Sequence, residues 1–194
     1  MPRHRLIAIL AGLLAVILAG AVVFKSGVFD APKPSLVGGP FQLVDQNGKA
    51  TTEETLKGQW NAVFFGFTYC PDVCPGTLQA LAAASDQLGP KAKDLKIVFI
   101  SVDPARDTPE VLKSFVANFH PRMVGLTGSA AAIDATAKEY AVYYKKGEMS
   151  PGGGYMVDHS RVAYLMDPQG KPMALLPQDQ SPEAIATEIK RWVK

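Results

Sequence analysis

The chain of 194 residues contains only two cysteines, Cys70 and Cys74, and three residues separate them. Thiols exchange with disulfides, close reversible disulfides and bind soft metal ions. A structural disulfide is the plainest alternative, but closing a loop of five residues would contribute only about 2 kcal/mol, which a domain of this size does not need. The pair is therefore interpreted as chemically active.

The spacing of the two cysteines separates redox chemistry from metal binding. Redox enzymes of the thioredoxin type usually carry two residues between their cysteines, and this chain carries three. Side chains four positions apart on a helix have Cβ atoms about 5–6 Å apart, whereas a disulfide needs about 3.5–4.5 Å. Two thiolates on one metal, with bonds of ~2.3 Å, place their sulfurs roughly 4 Å apart. The spacing favours a metal site, and a disulfide stays open if the loop bends.

Two thiolates leave a metal site incomplete, so a third ligand is needed, and the chain has three histidines. His4 precedes a long apolar segment, and His120 ends a predicted helix, where an imidazole often complements the helix dipole. His159 follows a glycine-rich loop and comes just before a predicted strand, where thioredoxin-type enzymes usually place a proline against their cysteines. The predicted metal ligands are therefore Cys70, Cys74 and His159. Such a set suits Cu(I) and can hold Cu(II); zinc accepts the same ligand types, but a structural zinc site would need four.

The elements that must position these residues alternate between strand and helix. A continuous apolar run over residues 61–67 predicts a buried strand, and the cysteines lead from it into a helix over residues 75–88. Cys74 then lies at a helix N-terminus, where the helix dipole favours a thiolate. The other predicted elements are strands over 41–44, 96–102, 161–166 and 173–176, a helical turn with a capping box at Thr51 and Glu54, and helices opening at Thr108, Ser129 and Ser181. The order predicts an α/β fold with a thioredoxin-like mixed sheet flanked by helices.

The N-terminal segment predicts export. Residues 6–24 contain no charged or strongly polar side chain, and a helix of this length spans roughly 28 Å, close to the ~30 Å hydrocarbon core of a bilayer. Arg3 and Arg5 precede the segment, so the positive-inside rule places residues 1–5 in the cytoplasm. A cleaved signal peptide is the alternative, but the small residues 19–21 lie inside the apolar run.

The charges of the remaining chain exclude one class of partner. Of the 20 basic residues, two precede the apolar segment, which leaves 18 against 18 acidic residues. This part of the chain is formally neutral and has no basic block or stripe, so nucleic-acid binding has no electrostatic support.

Three segments together resemble the SCO/SenC family of copper proteins. They are FGFTYCPDVCP (residues 65–75), SVDPARDTPE (residues 101–110) and VDHS (residues 157–160). The resemblance covers residues 41–193 and implies a thioredoxin-like fold that binds one copper through Cys70, Cys74 and His159. It also implies a part in maturing the dinuclear copper centre of cytochrome c oxidase subunit II, by delivering copper, by reducing the cysteines of that subunit, or by both.

The predicted function is a membrane-anchored copper metallochaperone, with subunit II as the recipient and an upstream copper donor or thiol reductant as a further partner. The alternative is an enzyme, a thiol–disulfide oxidoreductase in which Cys70 and Cys74 are the redox pair. The predicted location is the inner membrane, crossed once, with the main domain in the periplasm or an equivalent extracytoplasmic space. The predicted organisation is a cytoplasmic N-terminus (1–5), a transmembrane anchor (6–24), a Pro/Gly/Ser-rich linker (25–40) and a thioredoxin-like copper-binding domain (41–194).

Several neighbours of the site have two interpretations. Asp72 either caps the loop or tunes the thiolates and contacts a partner, and Asp158 could orient His159 through a hydrogen bond. Arg106 is expected to make a local ion pair. Met149 and Met156 could be soft ligands, but single methionines are expected to pack. Tyr143 and Tyr144 are expected to lie in the core.

Overall fold

The computed structural model describes residue 2 and residues 37–150, 154–176 and 181–193. The predicted anchor (6–24), residues 1 and 3–5 of the predicted cytoplasmic segment and most of the predicted linker lie outside these ranges. Among the helices within them, none is both long and apolar enough to cross a membrane. The described strands are β1 (Gln42–Asp45), β2 (Ala50–Thr52), β3 (Trp60–Gly66), β4 (Leu95–Ser101), β5 (Met123–Thr127), β6 (Tyr144–Lys146), β7 (Val157–His159), β8 (Ala163–Met166) and β9 (Pro172–Leu176).

Seven of these strands form one mixed sheet in the order β2-β1-β5-β4-β3-β8-β9, and β6 pairs with β7 in a separate two-stranded sheet. The central strands β3, β4 and β5 are parallel, and the remaining pairs are antiparallel. The α-helices are α1 (Val73–Asp86), α2 (Pro109–Ala117), α3 (Ala130–Glu139) and α4 (Pro182–Trp192). Helix α1 packs against α4, α2 against β5 and α3 against β1. This is the thioredoxin-like mixed α/β fold that the sequence predicts.

The two continuous apolar segments of the sequence form the buried centre of the sheet. Every residue of β3 after Trp60 is buried, and so is every residue of β4 except Lys96. Strands covered on both faces require continuous apolar sequence, which these two segments supply. The predicted strands over 61–67 and 96–102 are therefore confirmed, each displaced by a single residue.

Capping residues in the sequence correctly predicted where several helices begin. The Ser129 side chain accepts a hydrogen bond from the Ala132 N–H and begins α3, and Thr108 caps α2 in the same way through Val111. A 3-10 turn does form at Glu53–Leu56, but its N-cap is Thr52, and that side chain makes no capping hydrogen bond. The capping box predicted for this turn is therefore wrong.

Four of the described strands were not predicted. One is β2, which has only three residues. Strand β5 is only five residues long and contains Gly125, and β6 is mostly charged and exposed, so neither carries a strong strand pattern. Strand β7 pairs with β6 and includes His159 itself. The histidine therefore lies within a strand rather than before one, and β8 begins later than the predicted residue 161.

Candidate metal centre

The two cysteines lie at the carboxyl end of β3, in the connection to α1. Cys70 follows a turn in which its N–H donates to the Phe67 carbonyl at 3.3 Å. Helix α1 begins at Val73, two residues earlier than predicted, and therefore includes Cys74 in its first turn. The Cys74 side chain is 0% exposed, whereas Cys70 is partly exposed, and both are free thiols.

The two sulfur atoms have different surroundings. Burial raises the pKa of the Cys74 thiol well above its ordinary value, and the neighbouring Cys70 raises it further. Burial therefore opposes, in the metal-free protein, the thiolate that the helix N-terminus was expected to favour at Cys74. The N–H of Cys74 donates to Cys70 Sγ at 3.3 Å, and Cys70 is the partly exposed sulfur of the pair. Cys70 is the better placed of the two as a nucleophile.

Gly66, the last residue of β3, leaves the space that Cys74 occupies. A Cβ atom at this position would lie 2.8 Å from Cys74 Sγ and 2.9 Å from the Phe99 ring. The sulfur can lie against the end of the strand only because residue 66 has no side chain. Sequence reasoning missed this role, although a glycine inside a buried strand often marks a close approach.

His159 contacts the buried sulfur directly. Its Nε2 lies 3.4 Å from Cys74 Sγ, and its Nδ1 lies 3.0 Å from the Ser160 carbonyl oxygen. A carbonyl can only accept, so Nδ1 carries the proton and the Nε2 lone pair faces the sulfur. Burial lowers the pKa of His159, which favours the neutral imidazole that binds metals.

Aromatic rings fix the imidazole in this position. The rings of Phe64 and Phe67 meet it in edge arrangements at centroid distances of 6.1 and 5.8 Å. The predicted orienting bond from Asp158 is replaced by the bond to Ser160, and Asp158 is exposed.

The three predicted ligands therefore come together around Cys74, although they lie on two separate parts of the chain. Within the described ranges, no set of three or more His, Cys, Asp or Glu side chains is arranged closely enough to hold a metal ion as it stands. The chemistry of the donors nevertheless fits a soft metal, since two sulfurs and one neutral imidazole nitrogen are available. Binding would require both thiols to lose their protons.

Asp107 positions the cysteine loop, and sequence reasoning missed it. Its carboxylate is fully buried and accepts hydrogen bonds from the Thr68 N–H at 3.0 Å, the Thr68 hydroxyl at 2.6 Å and the Ser101 hydroxyl at 2.5 Å. Burial raises the pKa of Asp107, and these three donors oppose the rise. The loop before Cys70 is thereby attached to the end of β4, at a separation of 39 residues.

The other residues singled out in the sequence agree with the predictions in part. Arg106 makes its predicted ion pair with Asp103, and Asp72 is the N-cap residue of α1 but makes no side-chain capping bond. The exposed large apolar side chains near the site, which the sequence placed in the core, are Tyr143, Met149 and Met156. His120 lies 3.5 Å from the Asp86 carboxylate.

Comparisons with known proteins identify the family of this chain. A family model described as SCO1/SenC matches residues 29–194. The Arabidopsis thaliana protein "Protein SCO1 homolog 1, mitochondrial" is 48% identical over 134 residues, which are 69% of this chain and 40% of that protein. Across the first curated relatives the matched part is 40–53% of their length, so the chain spans about half of these proteins.

Two solved structures also resemble this chain in their fold. Bradyrhizobium japonicum ScoI with copper bound is 42% identical, has a TM-score of 0.74, and the match covers 80% of this chain and 99% of that one. BsSco, described as having a disulfide switch and as a member of the Sco family of cytochrome c oxidase assembly proteins, is 29% identical with a TM-score of 0.64, over 83% of this chain and 94% of that one. With the family model matching most of its residues, the chain belongs to the SCO1/SenC family.

Proposed function

We propose that this chain is a membrane-anchored copper metallochaperone that binds one copper ion through Cys70, Cys74 and His159. The observation that carries the proposal is the contact of His159 Nε2 with Cys74 Sγ at 3.4 Å. Beside it, Cys70 Sγ accepts a hydrogen bond from the Cys74 N–H. One of the two cysteines of the chain thus contacts a neutral imidazole, and the other lies beside it through the backbone of Cys74.

Copper as the cargo is supported by the donor chemistry and by the relatives. Two thiolates and an imidazole are soft to intermediate ligands, the combination that copper selects. The related ScoI of Bradyrhizobium japonicum was solved with copper bound. When bound, copper would replace the two thiol protons, so the protein would hold it as an exchangeable ion.

The unequal exposure of the ligands suits transfer. Cys74 is fully buried, while Cys70 and His159 are partly exposed. Ligands of a partner can therefore approach the side of Cys70 and His159 while Cys74 still holds the ion. Asp72 is exposed between the cysteines, where its carboxylate can contact that partner.

The proposed recipient is subunit II of cytochrome c oxidase, whose dinuclear copper centre the chain would help to assemble. The family name of BsSco, a cytochrome c oxidase assembly protein, supports this role. An upstream copper donor, or a thiol reductant that keeps Cys70 and Cys74 reduced, completes the proposed set of partners.

A second candidate function is thiol–disulfide exchange with the same recipient or another exported protein. The hydrogen bond from the Cys74 N–H to Cys70 Sγ favours it, because it prepares Cys70 for nucleophilic attack. The disulfide switch named for BsSco is consistent with such a reaction. Cys74 would then resolve the mixed disulfide and release the reduced partner.

The proposed organisation places residues 1–5 in the cytoplasm, residues 6–24 across the inner membrane and residues 25–40 as a linker. Residues 41–194 would form the copper-binding domain in the periplasm or an equivalent extracytoplasmic space. The apolar composition of residues 6–24 and the preceding arginines support this arrangement.

The test is the copper content and affinity of the reduced full-length chain in detergent, compared with His159→Ala. We expect one copper per wild-type chain and a large loss of affinity in the variant. His120→Ala is the matched control, because this histidine contacts Asp86 and not the cysteines. The proposal fails if the wild type binds no copper, or if His159→Ala binds it as tightly.

The same variant separates the two candidate functions. A disulfide-containing peptide with the copper-ligand cysteines of subunit II is offered to each reduced protein. Exchange that needs Cys70 but not His159 supports the oxidoreductase, whereas dependence of copper binding on His159 supports the metallochaperone.

A further inference from the structure

The hairpin that carries His159 is not part of the main sheet. Strands β6 and β7 pair only with each other among the described strands. The bonds from the Gly147 N–H to the Met156 carbonyl and from the Ser160 N–H to the Tyr143 carbonyl also lie within this segment. Side-chain contacts must therefore position the hairpin, and with it His159, against the cysteine loop.

Arg106 contacts both segments that carry the proposed ligands. Its guanidinium carbon lies 3.7 Å from the centre of the Tyr155 ring and 4.7 Å from that of Tyr69. Tyr69 directly precedes Cys70, and Tyr155 comes four residues before His159. Cations at such distances from ring faces are attracted to them, most strongly where water is excluded.

Arg106 also lies close to the ring that orients the imidazole. The Phe67 ring centre is 5.8 Å from the guanidinium carbon, and the same ring meets His159 at an interplanar angle of 90°. A shift of Arg106 would therefore affect the support of the imidazole as well as the position of the hairpin.

The carboxylate of Asp103 holds both Arg106 and Tyr155 in place. Its carboxylate accepts hydrogen bonds from Arg106 Nε and, at 2.7 Å, from the Tyr155 hydroxyl. Asp103 is itself buried, and its N–H donates to the Ser101 hydroxyl. The arginine and the tyrosine thus share one anchored carboxylate at the end of β4.

One atom of the arginine has no partner. Nη2 of Arg106 is buried and makes no hydrogen bond with any residue in the described ranges. A buried donor without an acceptor is destabilising. The position of this side chain therefore lowers the stability of the fold, which points to a role in the site.

We propose that Arg106 is a positioning residue that holds the β6–β7 hairpin against the cysteine loop and so sets how readily His159 leaves the metal. The inference deepens the proposed function and rests on it for the metal. The attachment of the hairpin itself is a property of the metal-free protein.

The first measurement is hydrogen exchange of the metal-free full-length chain, reduced and in detergent. Arg106→Ala should make the amides of Gly147 and Ser160 exchange about tenfold faster, because the loss of cation–π contacts frees the hairpin. The matched control is Arg122→Ala. Arg122 is also partly buried, but it bonds to the Ala92 carbonyl and precedes β5, at the opposite end of the parallel strands. This variant should leave hairpin exchange unchanged.

Conservative variants distinguish positioning from general stability. Arg106→Lys keeps the charge but not the planar group, so it should restore part of the protection. Tyr155→Leu keeps the Arg106–Asp103 ion pair and should loosen the hairpin as Arg106→Ala does. If Arg106→Ala does not fold, Tyr155→Leu decides the question in its place.

The second measurement is the rate at which Cu(I) leaves the loaded protein for an excess of chelator. Arg106→Ala should release it about tenfold faster, whereas in a His159→Ala background the same change should have little further effect. The imidazole resonances of His159 should also shift in the metal-free Arg106→Ala protein.

The proposal is overturned if hairpin exchange and the His159 resonances are the same in Arg106→Ala, or in its substitute Tyr155→Leu, as in the wild type. It is also overturned if Arg122→Ala loosens the hairpin equally. A wild type that binds no copper would refute the proposed metallochaperone, while the exchange data would still decide whether Arg106 positions the hairpin.

Discussion

Replacing Gly66 by alanine should disturb the metal centre more than its size suggests. The added Cβ would lie 2.8 Å from Cys74 Sγ, 2.9 Å from Phe99 Cε2 and 3.2 Å from Phe64 Cε1. Favourable contacts between such atoms begin at about 3.5–4.0 Å, so one side must move by roughly 1 Å. Cys74 and both rings are fully buried, so none of them can move into solvent.

The magnitude follows from the cost of overpacking a filled core. Forcing a methyl group into such a site typically costs about 1–3 kcal/mol, and three simultaneous contacts place Gly66→Ala near the middle of that range, at about 2 kcal/mol. If the sulfur gives way, its distance to His159 Nε2, now 3.4 Å, also changes. We therefore expect copper affinity to fall together with the free energy of unfolding.

The assay is urea unfolding of the metal-free protein, followed by copper titration of the folded variant. Gly76→Ala is the matched control, since Gly76 lies in α1 and a Cβ there would meet nothing within 4 Å. It should stabilise the helix by up to about 1 kcal/mol. In the double variant Gly66→Ala/Cys74→Ala the cost should be less than additive, because the closest contact is gone. Unchanged stability and copper affinity in Gly66→Ala would refute the packing argument.

Two further predictions concern buried polar groups. Asp107→Asn should lower the free energy of unfolding by about 2–3 kcal/mol, because one acceptor oxygen is lost beside three donors. Thermal denaturation measures this loss, and Asp134→Asn, a change at an exposed carboxylate, is the control. The metal-free protein should lose stability as the pH falls below 6.5, because the pKa of His159 is lowered on folding, and as it rises above 9.0, because that of Cys74 is raised. Each slope is at most about 1.4 kcal/mol per pH unit. Urea unfolding should show that the loss just below pH 6.5 is removed in His159→Gln. The loss between pH 9.0 and 10.0 should be removed in Cys74→Ala, whereas a loss above pH 10.0 should persist because burial also raises the pKa of Tyr140.

The sequence predicted those parts of the fold that depend on local pattern. Continuous apolar runs identified β3 and β4, and cap residues such as Ser129 identified helix starts. Strand β5 and the β6–β7 hairpin were missed because their stability comes from pairing partners rather than from their own composition. Their residues become strands only when the neighbouring segments are already in place.

The site shows the same division. Residue type and order predicted that Cys70, Cys74 and His159 belong together, and the structure places His159 against Cys74. The effect of burial on the Cys74 thiol was not predicted, because depth of burial cannot be read from spacing. Asp107 and Arg106 were not recognised as supports, since Asp107 meets a partner 39 residues away and Arg106 meets Tyr155 even further along the chain.

The supports of the ligands differ in a way that bears on the proposed transfer. Cys74 lies in a helix and against the end of a central strand, where core packing leaves it no room to move. His159 lies in a hairpin outside the main sheet, attached through side chains around Arg106. A protein that binds a metal ion and then transfers it needs one ligand that stays bound and another that can dissociate. Because His159 has the weaker attachment and the greater exposure, a partner should displace His159 before Cys74, so that the buried thiolate is the last to release copper.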